Sequence, residues 1–406
     1  MFKINCKTPL IIVFLLLFQQ IYSQTVTVMN QSEVVLKNYM VEIPVKQLPL
    51  SIGNYYVVSN EGVQSPVEIV SDINGEQYAV FSIEKLEPNA TLKLNLHRGQ
   101  AENYPKRTYA EIAHKIGGQF VNGKYQGEFS WVKPNFIRLS GSFKDHSYYI
   151  KYEGAGWESD KAAYRIYLDE RNALDGFGKR TPRIVLPAVG VDGYDNYHKM
   201  AVWGMDDVEV GKSLGIGSIA YWDGKKAGRV EKRDSVTSGV ISDGKIRSQI
   251  KTTYYGWESS AGKVNLTSLI TIDAGHRASH MELKTDGKLD NLTTGIIKTK
   301  DTEVITPQDE KGEWTYFATF GKQSMNNDNL GLAIFYRKNQ LKTLAEDDLN
   351  HLIVLNPDKG SVDYYFMTAW EQEWQPVKSK QDFINAINEE LNCLNQKILV
   401  RFSRKK

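Results

Sequence analysis

The feature that most limits what this chain can become is an alternation recurring from residue 25 to about residue 375. Short segments place β-branched and aromatic side chains at every second position, and turn residues separate them. "TVTVMN", "YMVEIPV", "NYYVV" and "QYAVFSIEKL" set the pattern, with "SIGN", "SNEG" and "DINGE" between them. It resumes in "SYYIKYEG", "AAYRIYLDE", "RIVLPAV", "VTSGVISDGKIRSQIKTTYYGW", "KVNLTSLITID", "ASHMELKTDGKL", "WTYFATFG", "LGLAIFY" and "VDYYFMTAW". A period of two sends successive side chains to opposite faces of a strand, so the pattern calls for sheets with a buried face. "ISDGKIRS" puts Asp-Gly between two such runs and predicts a hairpin. Helical spacing is clear only near the end, where "SKQDFINAINEELNCLNQKI" offers Ser379 as an N-cap and aligns Phe383, Ile384, Ile387, Leu391 and Leu394. The fold class expected is mostly β: a large antiparallel β-sandwich with a small N-terminal β region and a C-terminal helix.

The pattern breaks twice. Residues 1–23 carry Lys3 and Lys7, then the apolar "PLIIVFLLLF", and read as a secretory signal peptide cleaved after Ser23. The polar, partly helical "AENYPKRTYAEIAHKIGG" at 101–118 reads as a linker. It separates an N-terminal β-sandwich region, 24–100, from a catalytic domain, 119–406. Cleavage would leave one cysteine, Cys393, hence no internal disulfide and no cysteine metal cluster. The whole chain has 50 basic and 48 acidic side chains. Losing Lys3 and Lys7 brings the balance near zero, which speaks against a nucleic-acid partner. No further stretch reads as a membrane span, and a Gram-negative periplasm fits the profile.

Two motifs lose their functional reading, and a third stays open. "GKSLGIGSIA" lacks the glycine that a phosphate loop needs five places earlier, where Asp206 stands, so Gly215 and Gly217 read as a tight sheet-to-sheet turn. His276 and His280 share helical spacing but fall in a strand–turn–strand pattern, and no metal site is assigned; calcium, whose ligands have no fixed spacing, is left open. "GWES" recurs at 156–159 and 256–259. Either it marks a shared strand-end turn, or it sets Trp157 and Trp257 on the rim of a sugar groove.

Chemistry concentrates between residues 156 and 223. In "AAYRIYLDER" the alternation assigns Tyr164, Ile166 and Leu168 to one face and Arg165, Tyr167 and Asp169 to the other. A face of Arg, Tyr and Asp is costly to bury in apolar surroundings, so it is expected to line a wet cleft or solvent. "GYDNYHKMAVWGMD" then adds Tyr194, Asp195, Tyr197, His198, Trp203 and Asp206 within fourteen positions. Aromatic platforms beside charged groups suit a carbohydrate, with its apolar ring faces and hydroxyl edges.

"GAGWESDKAAYRIYLDERNALDGFGKRTP" and "VDGYDNYHKMAVWGMDDVEVGKSLGIGSIAYW" resemble the hallmark segments of a bacterial family, domain of unknown function DUF4861, frequent in polysaccharide-degrading Bacteroidetes. The likeness is tightest over 150–225 and looser over 130–375. It implies a mutarotase-like supersandwich. Within the family the sequence is similar to an oligosaccharide dehydratase of ulvan-degrading gene clusters. That implies loss of water across C4–C5 of a non-reducing-end uronic acid, leaving a 4,5-unsaturated sugar. Such a β-elimination needs a base at C5, an acid at the 4-hydroxyl and a cation at the carboxylate, with no redox cofactor. Placed on the matching positions, His198 is the base, Tyr194 or Tyr197 the acid, and Arg165 or Arg171 the carboxylate clamp. Glu158 and Asp206 orient partners or bind hydroxyls, Trp157 and Trp203 stack on the sugar, and Tyr164 joins the substrate-binding set. The partner expected is an anionic oligosaccharide. The alternatives are a polysaccharide lyase, a glycoside hydrolase using Glu158 and Asp206, and a non-catalytic sugar-binding protein.

Overall fold

A computed structural model describes residues 24–48, 53–144, 146–191, 196–307, 311–396 and 398–404; the signal peptide expected at 1–23 lies outside them. The alternating segments form antiparallel sheets, as their period requires. The largest has nine strands, with Arg247–Ser259, Gly262–Asp273, Ser279–Thr285 and Ser361–Trp370 adjacent at its centre. A six-stranded sheet lies against it, in the order Ser130–Val132, Thr108–Ile116, Ile150–Ser159, Ala163–Tyr167, Leu174–Lys179 and Gly204–Asp206. Ile112, Trp157, Tyr164 and Ile166 of the smaller sheet share one core with Ile250, Tyr254, Met281 and Phe366 of the larger. Trp157, Trp257 and Trp370 are the bulkiest members of that core. Each removes about 150–250 Å² from water, so truncating one costs about 3–5 kcal/mol. Asp243-Gly244 turns the predicted hairpin between Ser235–Asp243 and Arg247–Ser259.

Gly215 and Gly217 mark where this core closes on itself. Both have positive φ; a Cβ on Gly215 would lie 2.1 Å from the Leu174 carbonyl oxygen, and one on Gly217 would lie 2.7 Å from the Phe366 ring. They act as the close sheet-to-sheet turn expected of them.

Two segments differ from expectation. The linker at 101–118 contains the strand Thr108–Ile116, which pairs with Ile150–Ser159 and buries Ala110 and Ile112. "RIVLPAV" is not a strand; Leu186–Ala188 is a 3₁₀ turn. Pro187 lacks the N–H that a ladder needs. Buried side chains take the segment's backbone groups instead: Glu158 accepts from the Val185 and Leu186 amides, and Lys151 donates to the Leu186 and Pro187 carbonyls.

The six strands between Gln24 and Arg98 form most of a seven-stranded sheet with its own core. One edge strand is Ile398–Arg404, paired with Gln24–Asn30, so the sheet draws strands from both sides of the boundary expected at 100. Before it runs the helix Lys380–Asn395, opened by a reciprocal cap: Ser379 accepts from the Asp382 amide, and Asp382 from the Ser379 amide. Phe383, Ala386, Ile387 and Glu390 are its buried residues, Phe383 stacking on Phe320. Among the described residues no helix is long and apolar enough to cross a membrane.

Candidate active site on the covered face of the six-stranded sheet

The strand Ile150–Ser159 positions the site through an irregularity. Its pairing with Thr108–Ile116 slips between Ile150 and Ala155, and Tyr152 and Glu153 take φ of 36° and 66°. Two adjacent non-glycine residues in that region hold strain that their surroundings must fix. The Tyr152 hydroxyl donates to Glu111 Oε1 at 2.7 Å, and Glu153 Oε2 meets Arg171 Nη2 at 2.9 Å. The face so built is covered by Val185, Leu186, Val189 and Tyr197, which pack on Tyr152, Ala163 and Phe177.

Arg165 is the centre of the first network. It is 1% exposed. Nε and Nη2 donate to Asp175 Oδ2 at 3.0 and 2.6 Å, Nη2 also to Asp206 Oδ2 at 2.5 Å, and Nη1 to the Tyr197 hydroxyl at 3.0 Å. Tyr167 donates to the same Asp175 oxygen at 2.7 Å. His198 stands at the edge of this network, its side chain 35% exposed, with Nε2 3.3 Å from Asp206 Oδ2. Asp206 thus joins the sealed guanidinium to a solvent-facing imidazole. Burial, then the charge of Asp206, pushes the Asp175 carboxyl up to about 7 against the pull of Arg165. Burial likewise raises the Tyr197 phenol. Next in sequence, Asp207 is fully buried with neither carboxyl oxygen hydrogen-bonded among the described residues. Burial, with Asp206 and Asp175 nearby, drives its pKa well above the usual carboxylate range.

A second network centres on Glu111. Its Oε1 accepts from Lys151 Nζ at 2.6 Å and from Tyr152; its Oε2 accepts from the Tyr109 hydroxyl at 2.8 Å and meets Lys133 Nζ at 2.7 Å. Burial opposes the Glu111 charge, yet Lys151 and the hydrogen bonds outweigh it and lower its pKa. Lys133 is half-exposed and also donates to Tyr109 at 2.6 Å.

The structure sorts the expected site residues. It brings together His198, Tyr197, Arg165 and Asp206, with Arg171 next to them through Glu153, which meets both arginines. Trp203 is half-buried and contacts Phe177 edge-on at 6.0 Å. Tyr194 lies outside the described residues. Others are elsewhere. Trp157 is buried in the main core and donates Nε1–H to Ser279, and Trp257 is buried with it, so neither rims a groove. Tyr164 is fully buried, donating to the Arg277 carbonyl. Glu158 is fully buried on Lys179 Nζ at 2.7 Å and anchors the 3₁₀ turn, so it orients backbone rather than sugar. Arg165 is no open clamp, because its donors already serve Asp175, Asp206 and Tyr197. The Arg/Tyr/Asp face does not line a wet cleft; paired charges make its burial tolerable. Glu111, Tyr109, Lys133, Lys151 and Glu153 were not singled out from the sequence. Glu111 and Tyr109 fall in the presumed linker, whose "TYAEIAHK" does carry a strand's alternation.

The sequence profile described as "Domain of unknown function (DUF4861)" matches residues 28–400. Uncharacterized protein P7 of Formosa agariphila is 26% identical over 271 residues, covering 58% of this chain and 64% of that protein. An alpha-mannosidase from Enterococcus faecalis V583 superposes with a TM-score of 0.47 at 8% identity, over 95% of this chain and 46% of that one. A glycosyl hydrolase family 38 protein from Enterococcus faecalis gives 0.40 at 8% identity, over 94% and 47%. This chain therefore spans under two thirds of P7 and about half of each solved chain.

Proposed function

This chain belongs to the DUF4861 family, and from that membership and the geometry of the covered face we propose that it is a carbohydrate-processing enzyme of the carbon–oxygen lyase class. It dehydrates a terminal uronic acid of an ulvan-type oligosaccharide. The observation that carries this reading is His198, open to solvent yet tied through Asp206 to the buried Arg165.

The His198 imidazole, oriented by Asp206 at Nε2, is the base. It takes the C5 proton; the C4–C5 double bond forms as the C4–O bond breaks; the departing hydroxyl takes a proton from a tyrosine and leaves as water. Tyr197 suits the acid role because its oxygen accepts from Arg165 and its own proton remains to donate. Of the two arginines Arg171 is the less buried, its side chain 19% exposed, and it is held by Asp169 at 3.0 and 2.6 Å and by Glu153 at 2.9 Å. In this reading the uronate carboxylate takes over part of that pairing at Arg171, while Arg165 supplies fixed positive charge beneath. Trp203 lends a ring face. The burial of Glu158 under Lys179 counts against a hydrolase built on Glu158 and Asp206, which needs both carboxylates at the scissile bond. The leader at 1–23 makes the periplasm the proposed compartment. The test is ultraviolet absorbance during incubation with a uronic-acid-ended oligosaccharide. Elimination builds a conjugated chromophore; hydrolysis or simple binding leaves the absorbance flat and rejects the proposal.

A further inference from the structure

The same alternation that fills the main core leaves a second chemically dense face on the far side of the nine-stranded sheet. Ile250, Ile270, Met281 and Tyr364 point into the core. Their neighbours Gln249, Thr271, His280 and Tyr365 form one cross-strand row on the other face, with Glu282 opposite Asp363 beside it. This face is covered by the N-terminal sheet and the C-terminal helix, and a cavity of about 520 Å³ remains between them. That volume lies within the roughly 300–1,000 Å³ of small-molecule sites.

Its walls have a consistent chemistry. On the large sheet His280 stacks on Tyr365 at 4.2 Å, and Trp314 meets Tyr365 edge-on at 5.1 Å; Tyr39 and Tyr78 line the N-terminal side. The basic groups are engaged by carboxylates. Arg247 holds Asp273 at 2.6 Å and Glu42 at 2.5 Å; Arg337 holds Asp363 at 2.9 Å. His276 meets Glu390 at 2.7 Å, and His280 meets Asp363 at 3.2 Å. Glu282 and Asp72 add carboxylates outside these pairs. Gln249 gives both amide hydrogens to the Ser71 carbonyl and Thr271, and its buried Oε1 has no partner among the described residues. Rings and surplus acceptors suit a ligand with apolar ring faces and outward hydroxyl donors. An anion would meet excess negative charge there.

We propose that this inter-sheet cavity is a second binding site, separate from the covered face, for a neutral saccharide of one or two rings. Ligand-observed NMR titration of the full chain with xylobiose, digalacturonate and glucosamine tests it. Xylobiose is expected to bind saturably. Tyr365→Ala and Glu282→Ala should each weaken it by at least about tenfold, the scale of losing one good contact, whereas His198→Ala leaves it unchanged. Melting curves identify whichever cavity variant stays folded, and that variant is the one compared. Absence of saturable xylobiose binding, indifference of a folded cavity variant, loss in His198→Ala, or preference for digalacturonate or glucosamine would each overturn the proposal.

Discussion

Arg165 and His198 touch the same carboxylate, yet their replacement should give opposite results. Arg165 is sealed, and Arg165→Leu leaves Asp175 and Asp206 buried without their counter-charge. Breaking a buried pair this way costs about 3–5 kcal/mol, so urea denaturation should show a loss of that size. His198 is partly exposed on a 3₁₀ turn. His198→Ala should melt within about 2 °C of the parent, as surface changes of under about 0.5 kcal/mol do, while turnover falls at least about a hundredfold, the scale for removing a general base. Near-normal turnover in a folded His198→Ala removes the imidazole from the mechanism. At this scale the sequence was partly legible: the density of titratable and aromatic residues around 193–206 pointed to His198, Tyr197 and Asp206. It could not show that Glu158, Tyr164 and Trp157 face inward, because a residue's type does not reveal which buried partner, here Lys179 or Ser279, satisfies it.

Among the elements, the C-terminal helix fastens the N-terminal sheet to the large one. His276 Nδ1 meets Glu390 of that helix at 2.7 Å, and Nε2 meets the Asn38 carbonyl at 2.8 Å. Burial works against both charges, but the pair outweighs it: His276 rises to about 9 and Glu390 falls to about 2. The histidine's contribution is complete below its ordinary value of 6.5 and is lost as pH rises through about 9. The glutamate's is complete above its ordinary 4.5 and is lost as pH falls through about 2. Melting temperature against pH should therefore keep this pair's full share from about 4.5 to 6.5 and decline on both sides; His276→Gln should flatten the alkaline decline, and an unchanged profile would refute the clasp. Ser379→Ala should cost about 1 kcal/mol by removing the cap, read by chemical denaturation. The cap and the apolar stripe were legible because they are local. The strand at 108–116 was not, because charged Glu111 and Lys115 disguise a strand whose Glu111 is buried on Lys151 and Lys133.

For the whole molecule, alternation specified layered antiparallel sheets, but not that residues 398–404 return to edge the N-terminal sheet. That pairing joins segments far apart in the sequence and leaves no spacing signal. The return strand, the helix and the N-terminal sheet together enclose the cavity on the far side of the large sheet, leaving the covered face of the six-stranded sheet as a separate place for chemistry. The central claim is that this covered face removes water from a terminal uronic acid without cutting the chain. Mass spectrometry of a defined uronic-acid-ended oligosaccharide, before and after incubation, tests it most directly. The predicted product is lighter by one water and keeps its number of sugars; a shortened oligosaccharide, or an unchanged mass with active parent protein, contradicts it.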